Sequence, residues 1–264
     1  MAYENFKNIL FTRAGRVLTA TLNRPDMRNA INDELDIELL RMIQEVDLDE
    51  DVNVLVLTGA GKSFSAGGDI PEMQAALDNI EIFEKGTRRG KRILQGLLDL
   101  DKPIICRMNG DAIGLGATIA LFCDIIIADE TARIADPHVK VGLVAGDGGA
   151  VIWPQLIGYA RAKQYLLTGD LLLAKDAAAM GLINFAVPAA ELDAKVEEWA
   201  NKLTHGASKA IKWTKAVLNI GLKQLLVSMV DAGFGLETVS GRSKDHREAL
   251  DAFVAKRKPA FTGH

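Results

Sequence analysis

The sequence predicts an α/β protein with one stacked architecture, on the basis of three observations. Its 264 residues are 48% hydrophobic and 25% charged, which is ordinary for a globular protein with a sizeable core. Twice, starting near Val52 and near Lys102, an almost continuously apolar run ends in glycine and leads into a loop and a helical segment, as buried parallel strands do. After Gly149 most of the chain has helical spacing, and no low-complexity linker separates that half.

The first predicted elements are a hairpin and a helix. Residues 8–15 and 16–23 are enriched in β-branched and aromatic side chains and flank a turn at Gly15, so we expect two paired strands. Asn32 is suited to cap a helix, because acidic residues follow it in the first turn. The apolar side chains that share one face of this helix are Leu35, Leu39, Ile43 and Val46.

The two glycine-terminated runs, at 52–59 and 102–110, are predicted to be buried strands. The charged segment between them, at 78–100, is predicted to be helical, with weak points at Gly86 and Gly90. The remaining predicted elements are two short strands within 125–136 and helices at 149–158, 160–167, 174–180, 190–204, 207–225 and 228–256.

Charge and cysteine content limit the classes of partner. The net charge of -4 provides no overall basic field for nucleic acid or acidic membranes, although a local basic pocket for a phosphate-bearing ligand stays open. Cys106 and Cys123 lie in apolar runs without metal-site spacing, which favours buried side chains in a reducing compartment. We see no signal peptide and no apolar run long enough to span a bilayer. We therefore expect a cytoplasmic protein with no membrane partner and no metal.

Two glycine-rich loops were tested against nucleotide-binding and hydrolase motifs. Residues 59–63, at the start of the loop that runs to Ile70, lack the first glycine of a phosphate-binding loop. Residues 114–119 lack the third glycine of a dinucleotide fingerprint. No G-x-S-x-G motif is present. Each loop nevertheless follows a buried strand and opens a helix. If the loops face one another, their backbone N–H groups could form an oxyanion hole; the alternative is that these glycines only permit tight turns.

Six ordered segments that cover nearly the whole chain resemble the crotonase superfamily, the enoyl-CoA hydratase/isomerase family. They are 21–32 (TLNRPDMRNAIN), 56–73 (VLTGAGKSFSAGGDIPEM), 102–134, 137–158, 168–188 and 248–261 (EALDAFVAKRKPAF). The resemblance implies a crotonase-like spiral of β-β-α units over residues 1–195. It also implies a C-terminal helical region, residues 196–264, for trimerisation and ligand-site closure, with homotrimers or hexamers made as dimers of trimers.

The same resemblance implies an acyl thioester substrate, usually of coenzyme A, and no covalently bound cofactor. The thioester carbonyl would lie between the backbone N–H groups of Ala66 and Leu115. The family usually has glycine at the second position, so the leucine side chain would narrow the acyl pocket. The other implied substrate-binding or coenzyme A-binding residues are Gly67, Asp69 and Ile70 beside Ala66, Arg28 at the entrance, and Phe253 and Lys256 reaching a neighbouring subunit's ligand. Arg28 and Lys256 could instead be solvated surface charges.

The sequence departs from the hydratases at both of their catalytic glutamates. The glutamate positions that handle the water and the α-proton hold Thr118 and His138, respectively. A threonine hydroxyl can orient water but cannot act as the base, whereas a histidine can. Asp147, nine residues after His138, could orient its ring. The alternative is a hydrogen-bonded loop histidine and an aspartate that caps the next helix.

Three functions compete at this stage. The first is an acyl-CoA hydratase or isomerase in which His138 is the acid/base. The second is a β-diketone carbon–carbon hydrolase, because the His138–Asp147 spacing resembles the branch typified by 6-oxocamphor hydrolase. The third is a non-catalytic binding protein, against which the acidic balance argues where RNA is the ligand. We favour the first, with an acyl-CoA thioester as ligand.

Overall fold

Ten strands form two sheets in the computed structural model, which describes residues 3–264. In chain order the strands are β1 (Ile9–Ala14), β2 (Val17–Leu22), β3 (Val54–Gly59), β4 (Ser63–Ser65), β5 (Ile104–Met108), β6 (Asp111–Ile113), β7 (Ile125–Asp129), β8 (Arg133–Ala135), β9 (Leu172–Leu173) and β10 (Phe185–Val187). The helices are α1 (Asp33–Leu48), α2 (Ile70–Asp78), α3 (Ile80–Asp99), α4 (Leu115–Leu121), α5 (Gly149–Thr168), α6 (Ala174–Met180), α7 (Leu192–Thr204), α8 (Ser208–Ser240) and α9 (Lys244–Val254).

The larger sheet has six strands in the order β1-β2-β3-β5-β7-β10. Strands β1 and β2 form the predicted antiparallel hairpin, and the other neighbours in this sheet are parallel. Every residue of β3 is buried, as its continuous apolar run predicts. The predicted cap of α1 is also confirmed, because the Asn32 side chain accepts a hydrogen bond from the Leu35 N–H at 3.1 Å.

The smaller sheet, in the order β4-β6-β8-β9, positions the functional loops. Strands β4, β6 and β8 are parallel, so their carboxyl ends lie at one edge and the segments that follow them emerge side by side. The sequence analysis did not separate β4, β6 and β9 from the loops around them, because strands of two or three residues carry no readable alternation.

One helix boundary was predicted in the wrong place, and one predicted weak point does not interrupt its helix. Helix α3 runs without a break through Gly86 and Gly90, where we expected weak points. Helix α8 is continuous through the predicted boundary at 225–228, and the chain instead leaves the helix at Gly241, before Ser243 caps α9. In both helices, packing outweighs local propensity, since α3 lies against α1 and α8. The predicted break inside 149–167 is confirmed at Gly158, which has φ 76°.

The predicted boundary between residues 195 and 196 falls inside α7. Its side chains Leu192, Val196 and Ala200 pack on strands of the larger sheet, in a cluster with Val54 and Ile127. Helix α7 therefore belongs with the sheet by packing. The assignment of the C-terminal region to trimerisation stays a prediction.

Helix α8 has an exposed apolar surface in the single chain. The exposed large apolar side chains on α8 are Trp213, Val217, Leu218, Ile220, Val227, Leu236 and Val239. Among the helices of residues 3–264, α8 is the one that is long and apolar enough to cross a membrane, by length and composition only, and little of its apolar stretch is buried in the single chain. The sequence analysis had counted no run of that kind.

Candidate active site

His138 lies in a short 3₁₀ turn, His138–Val141, that follows β8 and Pro137. Gly142 ends the turn with φ 69°, and a Cβ atom there would lie 2.8 Å from the His246 backbone nitrogen, so the turn is packed directly against α9. His138 is 7% exposed. His138 is thus a buried side chain on a fixed turn.

Two carboxylates flank the His138 ring, one at each nitrogen. Asp136 makes a hydrogen bond with Nδ1, and Asp147 Oδ2 lies 3.4 Å from Nε2. The sequence analysis predicted that Asp147 would be the orienting partner, and it overlooked Asp136, which precedes the histidine by two residues. The structure brings His138 and Asp147 together as expected, and it places Asp136 at the other ring nitrogen, Nδ1.

Asp147 is held by a hydroxyl and a backbone amide. Thr118 donates to Asp147 Oδ1 at 3.2 Å from α4, and the Gly149 N–H donates to the same oxygen at 3.4 Å. Gly148 has φ 112°, and a Cβ atom there would lie 2.9 Å from Thr118 Cγ2. A Cβ atom on Gly149 would overlap Asp136 Oδ2. The two glycines after Asp147 are therefore required by the close packing of the acidic and hydroxyl side chains.

The charges in this cluster stabilise one another. Burial opposes the charge on His138, but Asp147 and Asp136 outweigh it and hold the pKa of His138 well above its ordinary value. Burial alone would likewise raise the pKa of Asp147, but the attraction of His138 and the hydrogen bonds to Asp147 lower it. At neutral pH the resting pair is therefore an imidazolium beside a carboxylate.

The two glycine-rich loops face one another, as the oxyanion-hole hypothesis requires. One follows β4 and the other follows β6, its parallel neighbour. A Cβ atom on Gly116 would lie 2.7 Å from Ser65 Cβ, and one on Gly67 would lie 3.5 Å from the Leu115 nitrogen. Leu115 is the first residue of α4, so its N–H has no acceptor within the helix.

The predicted donor Ala66 is wrong for this structure. Its N–H already donates to the Arg28 carbonyl at 2.9 Å, and the Gly67 N–H donates to Ser65 Oγ at 3.2 Å. Two residues further along, the Gly68 N–H makes no hydrogen bond within residues 3–264, and Gly68 lines the same cavity as Leu115. The available pair of amides is therefore Gly68 and Leu115.

A cavity of about 160 Å³ joins these groups. Among its lining residues are Gly68 and Leu115 from the loops and His138 and Asp147 from the acidic cluster; side chains of α1, α2, α3 and α8 close it. Asp69 also lines it, and its Oδ2 lies 3.0 Å from Arg24 Nη1. Backbone donors and an acid/base pair thus line one common cavity.

Comparison with known proteins identifies the family. The family model described as enoyl-CoA hydratase/isomerase matches residues 12–264. The chain belongs to this family. A crystal structure of an enoyl-CoA hydratase/isomerase from Mycobacterium paratuberculosis has a TM-score of 0.90 at 35% identity, covering 94% of this chain and 99% of that one. The predicted family and α/β fold are therefore confirmed.

Two curated relatives have names that agree with the family. A short-chain-enoyl-CoA hydratase from Clostridium acetobutylicum is 36% identical over 255 residues, which are 95% of this chain and 96% of that protein. A 1,2-epoxyphenylacetyl-CoA isomerase from Escherichia coli is 34% identical over 94% of this chain and 95% of that protein. These names are those of a hydratase and an isomerase, and they give no support to the β-diketone hydrolase alternative.

Several predicted site residues of this family member lie away from the cavity lining. Thr118 is fully buried behind Asp147. Arg28 is exposed on a left-handed turn with φ 51°, and Ile70 begins α2. Phe253 is 61% exposed near the end of α9, and Lys256 follows that helix. The prediction that the last two contact a neighbouring subunit's ligand concerns an assembly, so it stays a prediction.

One residue of the cavity could not have been found by motif comparison. Glu237 on α8 is 7% exposed and lines the cavity with His138 and Asp147. Burial and the nearby Asp147 and Asp136 raise the pKa of Glu237 to about 8, although His138 opposes the shift. It lies 90 residues beyond Asp147, in a helix whose pattern gives no sign of the site.

Ligand atoms of Asp136, His138 and Asp147 all lie within 4.8 Å of one another, so the cluster could hold a divalent metal ion. Both ring nitrogens of His138 already face carboxylates, an arrangement that equally suits a metal-free ion-pair network. The expectation of no metal stays a prediction and is tested below.

Proposed function

We propose that this protein is an enoyl-CoA hydratase/isomerase-type enzyme, a lyase or an isomerase, that acts on an acyl-CoA thioester through an enolate. The observation that carries the proposal is the His138–Asp147 pair facing the same cavity as the unpaired amides of Gly68 and Leu115. An enolate needs donors at its oxygen and an acid/base group at its carbon.

The backbone amides supply the first requirement. The thioester oxygen accepts hydrogen bonds from the Gly68 and Leu115 N–H groups, which strengthen as negative charge develops on it. Both donors are fixed by the sheet edge and by the start of α4, so little reorganisation accompanies the reaction. The leucine at the second position contributes its amide as glycine would.

The His138–Asp147 pair supplies the second requirement. In hydration, Asp147 accepts a proton from water while the water oxygen bonds to the β-carbon and the double-bond electrons move to the thioester oxygen. His138 then gives its Nε2 proton to the α-carbon as the enolate collapses. The proton on Asp147 returns to His138 across their 3.4 Å separation, which restores the starting state. In isomerisation Asp147 accepts the proton from carbon instead of water.

In this arrangement the carboxylate of Asp147 takes the place of a glutamate that α4 lacks. At the position of the hydratases' water-handling glutamate, α4 carries Thr118, and Thr118 donates its hydrogen bond to Asp147. Asp147, in the loop before α5, thus supplies a carboxylate next to Thr118 on α4. Thr118 and Asp136 act as positioning residues, the first through Asp147 and the second through His138.

The rest of the ligand site follows the family resemblance. Arg28 is proposed to contact the coenzyme A portion near the entrance, and Phe253 and Lys256 to contact the ligand of a neighbouring subunit. Assembly as a homotrimer, or as a hexamer of two trimers, would cover the apolar surface of α8. No bound cofactor takes part in the proposed chemistry, and the proposed compartment is the cytoplasm.

The proposal is tested by assaying a panel of enoyl-CoA thioesters with the wild-type protein, His138→Gln and Asp147→Asn. Each variant is expected to lose about a hundredfold or more in kcat, the usual contribution of a positioned acid or base. His205→Gln is the matched control, because His205 is exposed at the end of α7. Wild-type turnover in both site variants, or no turnover of any thioester by the wild type, would overturn the proposal.

A further inference from the structure

Glu237 is a buried acid that the proposed proton transfers do not use. It projects from the last turn of α8 and lines the cavity that holds His138 and Asp147. Its Oε2 atom is buried and has no hydrogen-bond partner within residues 3–264. A buried polar atom without a partner is costly, so its presence beside a ligand cavity points to a partner that arrives with the ligand.

The backbone of helix α8 is in direct contact with the backbone of the loop that carries Asp147, and this contact fixes the position of Glu237. Gly146 lies against Gly233 so closely that a Cβ atom on Gly146 would overlap the Gly233 carbonyl oxygen and lie 2.9 Å from Glu237 Oε2. The Val144 N–H donates to Ser240 Oγ at 3.1 Å, one helical turn from Glu237. The carboxyl group is therefore held against the reaction centre.

The surroundings keep this carboxyl group protonated. The charged groups that act on it are His138, which favours its ionised form, and Asp147 and Asp136, which disfavour it. Its burial adds to the effect of the two aspartates, and the pKa of Glu237 is raised to about 8. At neutral pH Glu237 is mainly a carboxylic acid, which can donate a hydrogen bond as well as accept one.

The cavity has the size of a compact ring. Its volume is about 160 Å³, and a cavity of about 150 Å³ accommodates benzene. Its apolar lining includes Met73, Ile82, Phe83 and Phe234, from α2, α3 and α8. An acyl group of this size would fill the space and expel the water that could otherwise hydrogen-bond to Glu237.

We propose that Glu237 is a specificity-determining residue, whose carboxylic acid donates a hydrogen bond to a ketone or hydroxyl oxygen on a compact, ring-sized acyl group. The inference rests on the proposed function, since it assigns the acyl part of that substrate. An unsubstituted hydrocarbon ring would leave Glu237 without a partner in a dry cavity, and sites built to hydrogen-bond a substrate discriminate strongly against analogues that lack the polar group.

The test uses matched thioesters. Cyclohex-1-enecarbonyl-CoA is compared with the same thioester carrying a ketone or a hydroxyl at each ring position in turn. The wild type is expected to prefer at least one oxygenated ring by about tenfold or more in kcat/KM. Glu237→Leu should remove that preference while keeping turnover of the hydrocarbon ring, and Glu237→Gln, which keeps a donor, should retain most of it.

A control variant and the pH dependence of KM distinguish a failure of this inference from a failure of the proposed function or of folding. Asp231→Asn is the control, because Asp231 is an exposed acid on the same helix that pairs with Lys91. In the wild type, KM for the preferred oxygenated thioester should rise above about pH 8 while KM for the hydrocarbon ring does not. Equal ratios of kcat/KM in wild type and Glu237→Leu, or equal pH dependence of the two KM values, would overturn the inference. Absence of turnover with every thioester would instead overturn the proposed function.

Discussion

Replacing Thr118 with valine tests how Asp147 is kept charged and in place. The substitution keeps the shape of the side chain and removes only the hydroxyl that donates to Asp147 Oδ1 at 3.2 Å. The site is fully buried, so no water replaces the lost donor. A hydrogen bond to a buried charged group contributes about 1.5–3 kcal/mol, and we expect Thr118→Val to lower the free energy of unfolding by that amount at neutral pH.

The same substitution has a predictable effect on pH dependence. Because the pKa of Asp147 is lowered in the folded protein, its contribution to stability is present above the unfolded pKa and is lost as pH falls through the folded pKa. Without the Thr118 donor the pKa of Asp147 rises, so this loss begins at a higher pH in the variant. A carboxylate that is less well held should also lower kcat by about tenfold or more, with KM little changed.

Urea unfolding between about pH 2 and 8, a range that extends below the lowered pKa of Asp147, and steady-state kinetics near neutral pH would measure both effects. Thr168→Val is the matched control, since Thr168 is exposed and its hydroxyl donates to the Gln164 carbonyl. The reasoning is refuted if Thr118→Val unfolds at the wild-type denaturant concentration at every pH, or if it changes KM alone.

Three further predictions concern the same cluster. Because the pKa of Glu237 is raised, its contribution to stability is fully present below its unfolded pKa of about 4.5 and is lost as pH rises through about 8. In thermal melts over that pH interval, the wild type should therefore lose more stability than Glu237→Gln. Parallel curves for the two proteins would contradict this prediction. Gly149→Ala should lower the free energy of unfolding by about 1–3 kcal/mol and reduce kcat, because the new Cβ atom would overlap Asp136 Oδ2. Gly221→Ala, in open space on α8, should not destabilise the protein. Equal stability of the two variants in chemical denaturation would contradict this prediction. Exhaustive treatment with EDTA should leave activity and metal content by mass spectrometry unchanged, whereas stoichiometric metal bound to the His138 cluster would show that the ion-pair interpretation is wrong.

The sequence predicts the larger sheet and its helices well, for identifiable reasons. Strand β3 is a continuous apolar run because both of its faces are buried, and the Asn32 cap is a local signal that needs no tertiary information. The predicted break inside α8 is wrong because local pattern does not report the packing of that helix on α3 and α5. The shortest strands are formed by pairing with neighbours, so they are readable only in the folded chain.

Some residues of the candidate site could be predicted from the sequence, and others could be found only in the folded chain. His138 and Asp147 are nine residues apart on one glycine-rich segment, so their proximity could be predicted from spacing. The contact of Asp136 with His138 could have been predicted in the same way, because this carboxylate lies two residues before the histidine. The Ala66 assignment failed because hydrogen bonding within the loop, which motif comparison does not show, leaves a different amide unpaired. Glu237 arrives through the packing of α8 and has no local signal.

Exchange of the α-protons of butyryl-CoA with deuterium oxide, followed by NMR, tests the central claim most directly, because it requires enolate formation and no further chemistry. We expect measurable exchange with the wild type and with His205→Gln. We expect a loss of about a hundredfold or more with Asp147→Asn, whose amide cannot accept the α-proton, and with His138→Gln, whose amide cannot give a proton back to the enolate. Exchange at the wild-type rate in His138→Gln, or no exchange with the wild type, would contradict the assignment of an enolate-forming acyl-CoA site to this cavity.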